Sequence, residues 1–463
     1  MRNVIQAVTV AAVLGALMPA SAGGPAVTEA RFGNGMRLML LENHKLPTIH
    51  FSIMFKGAGS VMDPPGKQGL ASITGELLRE GTKTRTAQQL ANQVDFLGAS
   101  LGAYAESERA MVSASALSRD TATILELLAD VTLRPTFKAE EVERVKGRRV
   151  ASLTQLLDNA DAVASRAFYR FLLGRHPYGQ PGDGYPKSMA AITPQDVAAF
   201  HAAHYRADNA VMVVAGDFSP EKLLPQLEAA FNTFKPGKAP AVTPAPEPSA
   251  RQARILLLDK PDLTQAKIVM GHVGIPREHA DYYAVAVMNG VLGGTGFLSR
   301  LMGVVRSKLG LTYGIGSTFD ARRAGGAFTI SLSTKVESAA AAIGATFGEL
   351  DRLQAGGATP KELVDVQNYM TGTFALSQET PEGQASQLLY ADLHNQGIEY
   401  LRLHPQRIRD VKAADVSRAA QAYVSKDMVR VVVVGPAEKL KESLATLGNV
   451  EIRPHTAWAD DGE

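Results

Sequence analysis

Cysteine is absent from the 463-residue chain. Its absence excludes disulfide bonds, a cysteine nucleophile, thiolate metal sites, iron–sulfur clusters and a lipid-modified cysteine anchor. The chain also lacks a surplus of either charge, because 48 Lys and Arg face 46 Asp and Glu, for a net charge of +2. This balance argues against a nucleic-acid-binding protein that acts through bulk positive charge. With 45% hydrophobic and 20% charged residues, the composition is that of a folded globular protein.

Long apolar runs are missing after the N-terminus. Within residues 1–22, Arg2 is the only charged side chain, Ala7–Met18 is almost entirely small or apolar, and Ala20-Ser21-Ala22 is typical of a cleavage site. This pattern predicts a secretory signal peptide, with the mature chain beginning at Gly23. No later run is apolar for the roughly 20 residues that a bilayer requires, so we expect no membrane insertion. An exported chain without cysteine suits the bacterial periplasm, which is the predicted location.

A proline-rich segment divides the mature chain near its middle. Lys235–Arg251 contains five prolines and almost no large apolar side chain. This composition is typical of an extended linker, which we place at residues 235–253. It separates a first α+β domain at residues 27–234 from a second at residues 254–453.

The two predicted domains repeat the same sequence plan. Before the linker, an Asp-Val pair begins an amphipathic helix that leads to a Val-rich strand and a glycine, and the same order recurs near the C-terminus. The spacing from Asp196 to Gly216 is 20 residues, and that from Asp415 to Gly435 is also 20. Such self-similarity is typical of internal repetition. The sequence therefore predicts two homologous halves.

Strand-like segments begin each half and helix-like segments follow. The stretches MRLMLLEN and TIHFSIMFKGA in the first half match ARILLLDK and QAKIVMGHVGI in the second. Strands and helices that are grouped rather than strictly alternating indicate an α+β fold. We expect each half to be a mainly antiparallel sheet with helices packed on one face.

Three blocks of sequence carry a resemblance to a known family. They are GKQGLASITGELLREGT, GRHPYGQPGDGYPKSMAAITPQDVAAFHAAHYRADNAVMVVAGDF and, in the second half, GGTGFLSRLMGVVRSKLGLTYGIGS. In order and spacing they resemble the pitrilysin/insulinase family of zinc peptidases, which includes the mitochondrial processing peptidase. The resemblance covers nearly all of residues 27–453 and implies a processing-peptidase-like fold.

The zinc motif of that family is replaced in this chain. Active members carry H-x-x-E-H, in which two histidines bind zinc and the glutamate acts on the metal-bound water. The matching positions here are Ser72, Gly75 and Glu76. The position of the distal glutamate ligand falls on Ala151 or Ser152. The resemblance therefore implies a non-catalytic chain that binds no metal and no cofactor itself.

Other candidate groups have both a functional and a structural interpretation. Glu76 and Glu80 lie one helical turn apart, and they form either a weak oxygen site for a metal or two solvated carboxylates. His201 and His204 form an H-x-x-H on a helix, and they either bind a metal or belong to an ordinary helix, as the same segment does in the family. A basic cluster either lies on a solvated helix face or attracts substrate, and it consists of Arg144, Lys146, Arg148 and Arg149.

The second half keeps an Arg and a Tyr that active members of the family use. They match Arg306 and Tyr313 within VVRSKLGLTYGIGS. The pattern predicts an amphipathic helix from Ser299 to Leu309, with Leu301, Val304, Val305 and Leu309 along one side. Gly310 then suits the helix end, and Leu311–Phe319 is predicted to be a strand that Tyr313 opens.

Because one glycine turn separates helix from strand, we expect Arg306 and Tyr313 to face the same point. A guanidinium and a phenol there can bind a substrate carbonyl and stabilise the charge that develops on it. The structural alternative is an arginine that neutralises carboxylates and a tyrosine that packs on the core.

A chain that lacks the zinc motif but keeps this pair resembles the non-catalytic subunit of the family's heterodimers. The resemblance implies a periplasmic partner, a paralogous peptidase subunit that carries zinc, and peptide substrates bound through Arg306 and Tyr313. A stand-alone pseudopeptidase that binds peptides or acts as a scaffold is the alternative. A third possibility is an enzyme with a relocated metal site.

Overall fold

The computed structural model describes residues 26–237 and 254–458. The predicted signal peptide and most of the predicted linker lie outside these ranges. The strands of the first half are β1 (Thr28–Arg31), β2 (Arg37–Glu42), β3 (Thr48–Lys56), β4 (Ser100–Ala105), β5 (Arg109–Leu117) and β6 (Ala210–Gly216). Its helices are α1 (Leu70–Leu77), α2 (Ala87–Phe96), α3 (Thr121–Leu133), α4 (Ala139–Gln155), α5 (Ala160–Leu173), α6 (Pro186–Ala190), α7 (Pro194–His204) and α8 (Pro220–Phe231).

The second half follows the same plan with longer helices. Its strands are β7 (Ile255–Asp259), β8 (Gln265–Gly274), β9 (Ile315–Arg322), β10 (Gly325–Lys335), β11 (Arg430–Gly435) and β12 (Val450–Pro454). Its helices are α9 (Tyr282–Asn289), α10 (Ala339–Gly356), α11 (Pro360–Leu376), α12 (Pro381–Leu393), α13 (Tyr400–Asp410), α14 (Ala413–Tyr423) and α15 (Ala437–Ala445). Two π-helical segments, Gly290–Gly294 and Met302–Lys308, lie between α9 and β9.

The two sheets share a strand order. The first is ordered β1-β2-β6-β3-β5-β4 and the second β12-β7-β11-β8-β10-β9. In both, the first long strand pairs in parallel with the late Val-rich strand, and the other long strands pair antiparallel. The sheets differ at one edge, where β1 runs antiparallel to β2 but β12 runs parallel to β7. The predicted α+β fold of two homologous halves is confirmed.

The aspartates that marked the repeat occupy the same place in each half. The Asp196 carboxylate accepts a hydrogen bond from the backbone N–H of Thr193 at 2.8 Å, at the start of α7. The Asp415 carboxylate accepts one from the N–H of Lys412 at 3.0 Å, at the start of α14. Each carboxylate satisfies a donor at its helix N-terminus, and each helix leads into the central strand of its sheet.

Each sheet carries its own helices on one face and a helix of the other half on its second face. On the second sheet, Phe168 and Phe171 of α5 pack against Leu256 and Val432. On the first sheet, α12 and its neighbours pack against the outer face of β2, β3 and β6, with Leu388 among the buried side chains. The central strands are therefore buried on both sides, which explains why β6 and β11 are continuously apolar rather than alternating.

Candidate functional site

Helix α1 carries the positions that match the zinc motif. It begins after Gly69, which has a φ of +96°, a conformation that glycine adopts without strain. The Asp63 carboxylate accepts hydrogen bonds from the backbone N–H groups of Gly69 and Ala71, both at 2.7 Å. These bonds satisfy orphan donors at the helix N-terminus and fix where α1 enters the fold.

The position of the general base is closed by backbone. Gly75 lies against β4 so tightly that a Cβ atom there would be 2.8 Å from the carbonyl carbon of Tyr104 and 2.9 Å from the nitrogen of Ala105. Carbon atoms in contact prefer separations of about 3.5–4.0 Å. A glutamate at position 75 therefore requires α1 or β4 to move, so the replacement is built into the packing of this helix.

The position of the second zinc-binding histidine carries an ion-paired carboxylate. Glu76 forms ion pairs with Arg148, through a short contact, and with Arg149 at 2.6 Å. One turn later, Glu80 pairs with Arg144 at 2.5 Å. The prediction of two solvated carboxylates is wrong, because both carboxylates form ion pairs with arginines. The same ion pairs leave the weak oxygen site for a metal unsupported.

The basic cluster of α4 is partly solvated, as the structural interpretation predicts, because Arg144 and Arg148 are exposed, but its arginines are also ion-paired. Arg148 and Arg149 contact Glu76 of α1, and Arg144 contacts Glu80, just after that helix. Lys146 bonds to Glu143 at 2.7 Å and to the Ile192 carbonyl at 3.1 Å. Ala151 and Ser152, the positions of the distal ligand, lie exposed near the end of α4. Helices α1 and α4 are thus joined by ion pairs where active members hold zinc.

The H-x-x-H of α7 is divided between two separate contacts. His201 Nε2 bonds to the Thr132 carbonyl at 3.0 Å, and burial lowers the pKa of His201 to about 4. His204 Nδ1 bonds to the Gly57 carbonyl at 2.8 Å. Across residues 26–237 and 254–458, no group of three or more His, Asp or Glu side chains has an arrangement that can hold a metal ion. The residues present therefore do not fit a catalytic zinc.

Arg306 and Tyr313 are brought together, but through the main chain of Tyr313. Arg306 Nε donates a hydrogen bond to the Tyr313 carbonyl oxygen at 2.9 Å. The guanidinium carbon also lies 4.8 Å from the ring centre of Phe297, a separation typical of a cation–π contact. Arg306 therefore holds the loop that carries Tyr313, and one ring face supports it from the other side.

The prediction that Tyr313 opens a strand is wrong. Strand β9 begins at Ile315, and the preceding residues form a turn around Thr312. The Thr312 hydroxyl oxygen lies 2.7 Å from the Ser333 carbonyl and 2.8 Å from the Gly314 carbonyl, to which its single proton can be donated, and it accepts a bond from the Gly314 N–H at 3.1 Å. A side-chain hydroxyl that occupies backbone acceptors competes with strand pairing. As a result the Tyr313 side chain points outward and is 90% exposed.

The predicted helix before this loop is correct in place but not in type. Residues Met302–Lys308 form a π-helix, which is wider than an α-helix. Leu301 and Val305 are buried as expected, whereas Leu309 is 47% exposed because the wider turn rotates it off the buried stripe. Gly310, with a φ of +64°, ends the segment as predicted.

We call the residues around this contact the Arg306 patch: Phe297, Arg306, Leu309 and Tyr313. Arg306 is half-buried and the other three are exposed. Phe297 is 72% exposed, so the ring that the guanidinium contacts also reaches solvent. The Nη1 and Nη2 groups of Arg306 have no hydrogen-bond partner in the part of the chain that the structure describes. Phe297 is not among the residues predicted from the sequence, although a large apolar residue directly after the Gly293–Gly296 segment is a usable signal.

Within the described ranges, no helix combines the length and apolar character that crossing a membrane requires.

Two sequence models of one family match consecutive parts of the chain. The model described as insulinase (peptidase family M16) matches residues 38–180, and that described as the peptidase M16 inactive domain matches residues 191–370. The chain is also 24% identical over 414 residues to an uncharacterized zinc protease of Rickettsia bellii, an alignment that covers 88% of this chain and 97% of that protein.

Solved structures give the same result. A crystal structure of a peptidase M16 inactive domain from Pseudomonas fluorescens superposes with a TM-score of 0.82 at 30% identity, covering 89% of this chain and 98% of that one. The periplasmic protease PqqL of Escherichia coli superposes with a TM-score of 0.77 at 12% identity, covering 94% of this chain but 48% of PqqL, and so shares the fold. With a peptidase-like fold and an ion-paired helix in place of the zinc motif, the chain belongs to the peptidase M16 (insulinase) family.

Proposed function

We propose that this chain is the non-catalytic, substrate-binding subunit of a heterodimeric zinc metallopeptidase that acts on peptides. A paralogous partner subunit would supply the zinc ion and the general base. The observation that carries the proposal is the Arg306 patch, in which Tyr313 is exposed beside the half-buried Arg306, while Glu76, at the position of the second zinc-binding histidine, is ion-paired.

The structural alternatives for the pair find no support in its contacts. An arginine that neutralises carboxylates should pair with Asp or Glu, but Arg306 contacts a carbonyl oxygen and the ring of Phe297. A tyrosine that stabilises the core should be buried, but Tyr313 is 90% exposed. The one structural role on view is that Arg306 holds the loop of Tyr313, which leaves the Tyr313 ring facing solvent and favours a role toward another molecule.

The chemistry of the pair suits a peptide carbonyl. Arg306 offers two Nη groups as donors, and Tyr313 offers a phenolic hydroxyl on the loop that Arg306 holds. Donors that are fixed before the substrate arrives stabilise the oxyanion of a peptide-bond transition state without reorganisation. Phe297 and Leu309 add apolar surface against which a substrate side chain can lie.

The periplasm remains the proposed location. The proposal rests on the N-terminal sequence pattern and agrees with the location named for PqqL, whose fold this chain shares. The peptide substrates and the partner follow from the family resemblance.

Reconstitution with the zinc-bearing paralogue tests the function. Tyr313→Phe removes one hydroxyl, and Arg306→Ala removes the donors and frees the loop. Because a donor aimed at transition-state charge is typically worth about 10²–10³ in turnover, we expect a loss of that size in each variant. The two losses should not add, since both groups act on one oxygen. Peptide hydrolysis is measured per assembled complex, with the complex quantified by sedimentation.

Matched controls separate this role from assembly. Arg402→Ala removes another exposed arginine, and Tyr369→Phe removes the hydroxyl of another partly exposed tyrosine, and both should leave turnover unchanged. Wild-type turnover in the Arg306→Ala/Tyr313→Phe double variant would contradict the proposal. Such a result would favour the stand-alone peptide-binding or scaffold role.

A further inference from the structure

Arg277 is a buried cation without a carboxylate partner. It lies in the loop between β8 and α9 and is 1% exposed. Its Nε donates to the Tyr390 hydroxyl at 2.9 Å, while its Nη2 has no hydrogen-bond partner among the described residues. Its polar neighbours are tyrosines, and no Asp or Glu of the described residues forms an ion pair with it. Because a buried charge is normally paired, this arginine requires an explanation.

Aromatic rings surround the guanidinium. Its carbon lies 3.6 Å above the ring centre of Tyr282, and three further rings lie at 5.6–5.8 Å, those of Tyr283, Tyr390 and Tyr400. Ring faces attract a cation through their quadrupole, but neutral rings contribute no net negative charge. The cage therefore orients the guanidinium and leaves its positive charge uncompensated.

Two histidines beside this cage also carry unbonded nitrogens. The His394 ring packs on Tyr390 at 4.6 Å, so His394 and Arg277 lie against the same tyrosine. The His404 ring packs on Tyr400 at 4.8 Å. Nδ1 of each histidine is buried and has no hydrogen-bond partner in the described part of the chain. A neutral imidazole with its proton on Nδ1 can donate a hydrogen bond there.

The surroundings are electropositive. Arg277, Arg109, Arg323 and Lys56 all lie close enough to His394 to lower its pKa, in addition to the larger effect of burial. Lys56 is neutralised by Asp392 at 2.7 Å, and Arg109 by Glu106 at 2.7 Å. No ion pair compensates Arg277 within residues 26–237 and 254–458. Positive charge and unbonded donors together are the features of an anion site.

We propose that a small inorganic anion of the size of chloride binds between Arg277 Nη2 and His394 Nδ1. It accepts a hydrogen bond from each and supplies the missing negative charge. Arg277 belongs to the loop before α9, whereas His394 ends α12, the helix that covers the first sheet. The anion thus links the loop before α9, which packs on the second sheet, to the end of α12, which packs on the first sheet.

Halide-dependent unfolding tests the proposal. Sodium gluconate is exchanged for sodium chloride at constant ionic strength, and the thermal midpoint Tm of the full chain is followed. Binding to the folded state alone predicts a rise of a few degrees in Tm that grows with the logarithm of the chloride concentration once that concentration exceeds Kd. Arg277→Met keeps an unbranched stem but removes the charge, so the rise should vanish. Arg254→Met is the control. Arg254 also stacks on a ring, at 4.8 Å from the centre of Phe347, but it donates a hydrogen bond to the Lys426 carbonyl. The Tm of this variant should respond to chloride as the wild type does.

Bromide provides a second measurement that does not depend on a variant folding. Crystals of the wild-type chain soaked in sodium bromide should give an anomalous peak within hydrogen-bond distance of Arg277 Nη2 and His394 Nδ1. A water molecule in that place would give no anomalous peak and no halide-specific rise in Tm. Either of these results, or an equal rise in Arg277→Met, would overturn the proposal.

Discussion

Restoring the zinc motif by mutation should fail, because the general-base position has no room for a side chain. The triple variant Ser72→His/Gly75→Glu/Glu76→His recreates H-x-x-E-H on α1. At position 75, however, the first side-chain atom would be 2.8 Å from the Tyr104 carbonyl carbon, which is main chain and cannot rotate away. Forcing atoms into a packed interior typically costs about 1–3 kcal/mol. We expect the triple variant to lose that stability and to bind no stoichiometric zinc.

Two single substitutions isolate the packing effect from helix propensity. Gly75→Ala adds only the Cβ, and we expect it alone to lower the free energy of unfolding by about 1–3 kcal/mol. Gly147→Ala is the matched control, since Gly147 lies within α4 and a Cβ there meets nothing within 4 Å. That control should stabilise the chain by up to about 1 kcal/mol, the usual gain from glycine to alanine in a helix interior.

The measurements are urea unfolding of each variant and metal analysis of the triple variant after dialysis. The two alanine variants should move the midpoint in opposite directions. If Gly75→Ala is as stable as wild type, or if the triple variant retains one zinc per chain, then β4 does not close the site and the geometric argument is wrong.

Two further predictions concern ionisable contacts. His44 bonds to Asp217 at 2.6 Å and to Glu42 at 2.9 Å, and these hydrogen bonds raise the pKa of His44 above 6.5 and lower that of Asp217 below 3.8. His44→Gln should therefore cost the most stability between pH 3.8 and pH 6.5, the ordinary pKa values of the two groups. The cost should shrink as the pH rises through the raised pKa of His44, and also as the pH falls through the lowered pKa of Asp217. An NMR titration of His44 with a midpoint at or below 6.5 would contradict this. Asp392 joins α12 to the first sheet through Lys56 at 2.7 Å and Arg37 at 2.6 Å, so Asp392→Asn should cost about 1.5–3 kcal/mol in urea unfolding, whereas Asp365→Asn, at a pair with Lys361 on the surface of α11, should change little.

Local sequence signals predicted the fold because the fold is repeated. Val-rich strands, capped helices and equal spacings occur twice, so the prediction for each half could be checked against the sequence of the other. The same local reasoning failed at Tyr313. Leu311–Phe319 was predicted to be a strand, but the Thr312 hydroxyl bonds to backbone groups and β9 begins only at Ile315. Spacing likewise predicted the helix before it but not the π-helical turn that exposes Leu309.

Contacts between distant segments were beyond sequence reasoning. The sequence shows that the zinc motif is replaced. It does not show the partners of Glu76, which lie on α4, more than 70 residues away. An arginine-rich helix looks the same in sequence whether it faces solvent or a carboxylate. The close approach of Gly75 to β4 is also a tertiary fact, since the sequence shows only that a glycine stands there.

The continuously apolar central strands contained a signal that the sequence analysis did not use. Val431–Val434 are all fully buried, and such a run indicates a strand covered on both faces. Each half lacks a second helix layer of its own, so the cover comes from the other half, with α5 on the second sheet and α12 on the first. A half expressed alone would expose one apolar sheet face. The first half is therefore needed for the fold of the second whatever chemistry it performs, because the second half, which carries Arg306 and Tyr313, needs α5 to complete its core.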